Sequence, residues 1–393
     1  MIKEKISQAI SILNEEDVDM WMIFGRESGT IPDPAADLVV GVHYTWHSAF
    51  MIFKDGDTVA IVGSLDAAEL EKKGYYKRII PYVGGIKEKL IEVLNEKNPS
   101  KIAVNYSEDD IMADGLTHGM YLYLKKILSD TPYFERFVKS EKIVSKLRGR
   151  KSPTEIERIK HAISETEKIF DEVTKFLKPG ITERDVWEFV LDIVDKKGYE
   201  TAWEREMCPS VFTGEPTEGE AHTGPTHKKV EKGDVLNIDF GLKINGYCSD
   251  LQRTWYILRD DEEDAPKIVK KGFKAVVDAI ELAAKAIRPG MCGWEVDKIA
   301  RDHIVSQGFD EFPHGLGHQV GRSPHDGATL LCPRWERYGN LPYLKIEEGQ
   351  VFTLEPRVRI KGYGTATVED IIVVTKNGGK FLSSFQRELW LIK

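Results

Sequence analysis

The chain has 393 residues, a formal net charge of −9, 41% hydrophobic and 30% charged residues, enough for two globular domains with real cores. The negative balance argues against a nucleic-acid partner, whose docking face is normally basic, and apolar runs such as 20–24 are too short to cross a membrane. The opening residues mix acids and bases where a signal peptide would be apolar, so the chain reads as cytoplasmic, with neither nucleic acid nor membrane as partner. Cys208, Cys248, Cys292 and Cys332 are far apart, which fits a reducing compartment and argues against a cysteine zinc site.

From the start, the apolar runs 20–24, 49–53, 59–63 and 101–104 predict strands, separated by helical stretches such as 86–95. Residues 1–145 therefore read as an α/β domain. A basic, glycine-containing stretch then gives way to Ser152-Pro153-Thr154-Glu155. That is an N-cap serine, a proline at the first helical position and a glutamate placed to close a capping box. Ile156, Ile159, Ile163, Phe170, Val173 and Leu177 follow at helical spacing, so a long helix opens a second domain over 150–393.

This second domain carries an internal repeat. Lys178-Pro179-Gly180-Ile181 recurs as Arg288-Pro289-Gly290-Met291, and Gly198-Tyr199-Glu200 recurs at the same offset as Gly308-Phe309-Asp310. Each copy reads as helix, Pro-Gly turn, helix and Gly-aromatic exit, followed by a strand pair. Two halves related by a pseudo-twofold would bring their hairpins together.

Each hairpin carries two acids. In the first, Asn245-Gly246 is a two-residue turn signal; it places Asp239 opposite Gln252 and Asp250 on the same face as Asp239. In the second, a loop at Lys361-Gly362-Tyr363 places Glu355 across from Glu369. A carboxylate inside an apolar strand is costly unless a charge meets it, and four converging carboxylates repel strongly without cations. Two divalent ions answer that need. His314-Gly315-Leu316-Gly317-His318 follows the second helix pair, with His325 beyond it and His222 ahead of the first hairpin. A nitrogen ligand among hard oxygens suits manganese, cobalt, iron or zinc better than calcium. His43, His47 and His227 read as ordinary packed or surface histidines.

Asp239, Asp250, His318, Glu355-Pro356 and Glu369-Asp370, in that order, resemble the metal-ligand pattern of the M24 metallopeptidases: methionine aminopeptidases, Xaa-Pro aminopeptidases and prolidases. The resemblance covers residues 150–393 and implies the pita-bread fold, an α+β catalytic domain with a pseudo-twofold. The first 145 residues resemble the creatinase/prolidase-type domain, which points to the Xaa-Pro branch. It implies Asp239, Asp250, His318, Glu355 and Glu369 as ligands of two divalent ions, manganese first, with cobalt, zinc or iron as alternatives. It further implies Glu355 as proton shuttle, His222 and His325 as outer catalytic histidines, a small peptide substrate and a homodimer. Two features depart from the pattern. Thr367 stands where Xaa-Pro enzymes often carry an arginine, and the 331–343 segment is long. The expected activity is therefore hydrolysis of Xaa-Pro bonds in dipeptides or short peptides. The alternative is a non-peptidase enzyme of the same fold acting on another small polar molecule, as an amide hydrolase or lyase. A binding module that has lost catalysis fits poorly, because all five ligands persist.

Overall fold

A computed structural model of the chain describes residues 1–108, 110–215 and 224–393. They fall into two units, Met1–Arg148 and Gly149–Lys393. The first unit is built on a six-stranded mixed sheet, ordered β4-β3-β2-β1-β5-β6. Its strands are β1 (Met20–Gly25), β2 (Ser48–Phe53), β3 (Thr58–Gly63), β4 (Arg78–Tyr82), β5 (Ile102–Val104) and β6 (Phe137–Lys139). Successive side chains in a strand point to opposite faces. Trp21, Ile23, Phe50 and Ile52 accordingly enter one apolar cluster, and Met20, Met22, Met51 and Phe53 another. Burial on both faces explains why these strands are continuous apolar runs rather than alternating ones.

The second unit opens with the Pro153–Phe176 helix, whose N-terminus carries the capping box between Ser152 and Glu155. It turns through Gly180 into the Glu183–Lys197 helix, and the Lys267–Ala286 helix turns through Gly290 into Gly293–Ser306. Gly180 and Gly290 both sit at φ +92°, a conformation that costs glycine nothing and other residues much. The repeat seen in the sequence is thus a repeat of backbone geometry at the turn.

The strands of this unit are β7 (Glu200–Thr201), β8 (Ser210–Thr213), β9 (Val235–Phe240), β10 (Leu242–Ile244), β11 (Tyr247–Cys248) and β12 (Leu251–Ile257) in the first half. The second half supplies β13 (Val351–Leu354), β14 (Arg357–Ile360), β15 (Gly364–Thr367), β16 (Asp370–Thr375), β17 (Gly378–Phe381) and β18 (Trp390–Ile392). The halves differ in one respect. No strand follows the Gly308 exit until β13; the intervening stretch folds as loops with two short 3₁₀ turns, Glu336–Tyr338 and Leu341–Tyr343. It carries the histidines instead. Among the described residues no helix is long and apolar enough to cross a membrane.

Candidate metal centre

The first hairpin has the register its turn dictates. Ile244 faces Tyr247 across Asn245-Gly246, and the same pairing carries Asp239 opposite Gln252. In the second, Ile360 faces Gly364, Arg357 faces Thr367 and Leu354 faces Asp370. Glu355 and Glu369 fall between those ladders, across from each other. The hairpins join at one point. Gln252 N–H donates to Glu369 O at 3.3 Å, and Glu369 N–H donates to Gln252 O at 3.1 Å. That bridge brings the four acids of two separate hairpins into one cluster.

His318 enters from the loop between the second helix pair and β13. The segment around it lies along β13: Thr353 N–H donates to His318 O at 2.9 Å and Glu355 N–H to Leu316 O at 2.8 Å. Only glycine permits this approach, because a Cβ on Gly317 would lie 2.0 Å from Thr353 O. His318 Nδ1 lies 3.0 Å from the Pro324 carbonyl oxygen, which can only accept, so Nδ1 carries the proton and Nε2 is left with its lone pair. Nε2 faces Glu355 Oε1 at 3.5 Å, Asp250 Oδ2 at 3.7 Å and Glu369 Oε1 at 3.8 Å. Burial holds the ring's pKa down to about 3, so the histidine is neutral and offers the acids no charge.

Asp250 and Glu369 are buried, while Asp239, Glu355 and His318 are partly buried. Burial pushes Asp239 up to about 7. It raises Asp250, Glu355 and Glu369 well above the usual carboxylate range, and the neighbouring acids add to the effect. Asp239 Oδ1 and Glu369 Oε1 are buried with no hydrogen-bond partner. Asp250, His318 and Glu369 each bring a ligand atom within 4.8 Å of one another. Orphaned, converging carboxylate oxygens beside a bare imidazole nitrogen fit divalent cations, which would repay a desolvation that no lysine or arginine at ion-pair distance offsets among the described residues.

His325 is exposed and packs edge-on against His318, ring centroids 4.2 Å apart, so it stands at the rim of the cluster. Burial of part of its ring lowers its pKa. His222 lies outside the described residues. His314 is engaged locally: its Nδ1 lies 2.8 Å from Gly315 O, and its ring tilts against Phe312. His47 stacks on Tyr123 at 4.2 Å in the first unit. Gln252 is the site residue that motif reading passed over. It was named only as Asp239's cross-strand neighbour, yet its amide touches both glutamates. It stands among other polar residues at the start of β12, Leu251-Gln252-Arg253-Thr254, so nothing in the sequence singled it out. Thr367 is buried at 3% exposure, with its hydroxyl donating to Pro356 O.

Comparison with known proteins gives this geometry a family. The Xaa-Pro dipeptidase of Pyrococcus furiosus is 30% identical over 256 residues, 65% of this chain and 69% of that one. An uncharacterized peptidase of Bacillus subtilis is 27% identical over 349 residues, 88% of this chain and 90% of that one. The solved structure of a Xaa-Pro dipeptidase from Bacillus anthracis covers 100% of both chains, with a TM-score of 0.74 at 24% identity. That likeness carries the fold, an N-terminal domain followed by a pita-bread catalytic domain. The family model for metallopeptidase family M24 matches residues 157–376, more than half of the sequence, and the chain belongs to that family.

Proposed function

We propose that this metallopeptidase is a two-metal hydrolase that cleaves the bond before proline in dipeptides or short peptides. The observation that carries the reading is the cluster of four carboxylates around a neutral histidine, with no lysine or arginine within ion-pair distance among the described residues. Asp239, Asp250, His318, Glu355 and Glu369 would hold the ions, manganese first. When bound, they would supply Lewis acidity, polarising the scissile carbonyl and lowering the pKa of the attacking water. Glu355 accepts that water's proton and returns it to the leaving nitrogen. His325 donates from the rim to the oxygen that gains charge as the carbonyl becomes tetrahedral. His222 is carried over from the family pattern in the same outer role.

A proline after the scissile bond presents a tertiary amide without an N–H, so its recognition needs an apolar slot, for which Trp335 is the candidate in this unit. A dipeptide also needs a cation for its terminal carboxylate. Arg322 is engaged by Tyr247, Arg334 lies over Trp294 and Arg359 is paired with Glu215. Arg357 is the one that faces the site: it follows Glu355 on β14, lies directly opposite Thr367, and feels the Glu355 charge. A homodimer and a cytoplasmic location complete the proposal on family pattern alone.

Thr367, buried and turned to the Pro356 carbonyl, favours a second reading, hydrolysis or lysis of a small polar non-peptide. The experiment is a side-by-side assay of Ala-Pro, Ala-Pro-Ala and Ala-Ala on protein stripped by chelator and reloaded with manganese or cobalt. The expected result is metal-dependent cleavage of the proline substrates with Ala-Ala spared. Equal cleavage of Ala-Ala removes the proline slot, and no cleavage with metal bound makes the non-peptide reading the leading one.

A further inference from the structure

Gln252 sits where the two hairpins join, at 9% exposure, opposite Asp239 in one ladder and bridged to Glu369 in the other direction. Its amide Nε2 donates to Glu369 Oε2 at 2.9 Å and lies 3.4 Å from Glu355 Oε2. The other oxygens of the same glutamates point elsewhere. Glu355 Oε1 and Glu369 Oε1 lie 3.5 and 3.8 Å from His318 Nε2, and Glu369 Oε1 has no hydrogen-bond partner.

We infer that Gln252 is a positioning residue of the metal centre: its single NH₂ group ties one oxygen of each glutamate and so fixes which oxygens are left to face the cations. The inference rests on the metal-centre reading above. An amide NH₂ has two donors in one plane, enough for one oxygen on each neighbour. Without it, each carboxylate turns about a terminal torsion that is broad and roughly two-fold, and presents either oxygen. Charge matters equally. A lysine or arginine here would order the carboxylates but also neutralise them, competing with the cations for the same field. A neutral donor orders them and leaves the charge intact.

The test uses the full chain with Co²⁺ as probe, comparing wild type, Gln252→Met and Gln252→Val. Methionine keeps the length without a donor, and valine suits a central strand should methionine pack badly. The readouts are Co²⁺ affinity by titration calorimetry and the visible absorption of the bound ion, which reports its coordination. A lost outer-shell partner typically weakens metal binding about 10–100-fold. That loss, with a changed Co²⁺ spectrum, is the expected result in both variants. Affinity and spectrum both matching wild type overturn the inference while leaving the metal centre standing. A wild-type chain that takes up no Co²⁺ overturns the metal centre itself, and the inference with it.

Discussion

Glu369 and Asp370 are neighbours in sequence, 1% and 0% exposed, yet they live in opposite electrostatic worlds. Asp370 turns to Arg253, itself 2% exposed, which reaches it at 3.0 and 3.3 Å, and Ser383 donates to it at 2.5 Å. Glu369, on the other face, meets Asp250, Glu355 and Asp239, with a neutral glutamine as its side-chain donor. The same contrast recurs elsewhere in the unit. Asp326 has Lys151 at 3.0 Å and Asp297 has Arg301 at 2.8 Å. The chain thus has buried cations to give, and gives them to structural acids. The difference teaches that the four site acids are unpaired by arrangement rather than by shortage of basic residues.

The largest effect expected from that contrast is on turnover. Asp250→Ala or Glu369→Ala removes a residue shared by the whole cluster, and activity falls below detection while circular dichroism stays native. A variant that keeps wild-type rates breaks the two-metal assignment. His325→Ala lies outside the ligand set and costs about 10²–10⁴-fold in kcat, the range for a proton-transferring or oxyanion-stabilising group. Metal content measured on the same sample stays at the wild-type level.

Stability sharpens the comparison directly. In metal-free protein, Asp370→Asn leaves buried Arg253 with only Glu167, at 4.0 Å, as anion and costs about 3 kcal/mol. Glu369→Gln removes one of four repelling charges and raises the melting temperature at pH 8, by about 2–4 °C for each kcal/mol gained in a unit of this size. Thermal melts of the two variants moving in the same direction would erase the distinction. The smallest effect is on pH. The site acids have folded pKa values raised above their unfolded ones, so the folded state holds more protons and stability falls as pH rises through the window between them. For Asp239 that window runs from 3.8 to about 7. Metal-free protein therefore melts lower at pH 8 than at pH 5, and added manganese shrinks the difference, because bound cations keep the acids ionised in the fold.

The skeleton of this site was legible because it follows from local rules. Asn245-Gly246 and Lys361-Gly362-Tyr363 set two registers, and the registers place Asp239, Glu355 and Glu369. The capping box at Ser152 and the Pro-Gly turns could be read for the same reason, since each is decided within a few residues. What escaped was everything decided across the chain. Arg253 meets Asp370, and Gln252 meets Glu355, only after the second hairpin docks on the first. The tautomer of His318 depends on where the Pro324 carbonyl comes to lie. The repeat in the helices does not extend to the loop after Gly308, so the course of that loop could not be read from the first half.

Lys151 lies immediately before the first helix of the catalytic unit, fully buried, with its ammonium on Asp326. Asp326 in turn accepts from Arg322 N–H and follows His325 in sequence. The stretch at the boundary between the units therefore also staples the loop of the rim histidine. A protease nick or an excision that freed the catalytic unit after residue 151 would leave the five candidate ligands in place, yet unmoor the loop that carries His325. A cut on the N-terminal side of Gly149 leaves the Lys151–Asp326 pair joined to the catalytic unit, and a cut a few residues later removes it.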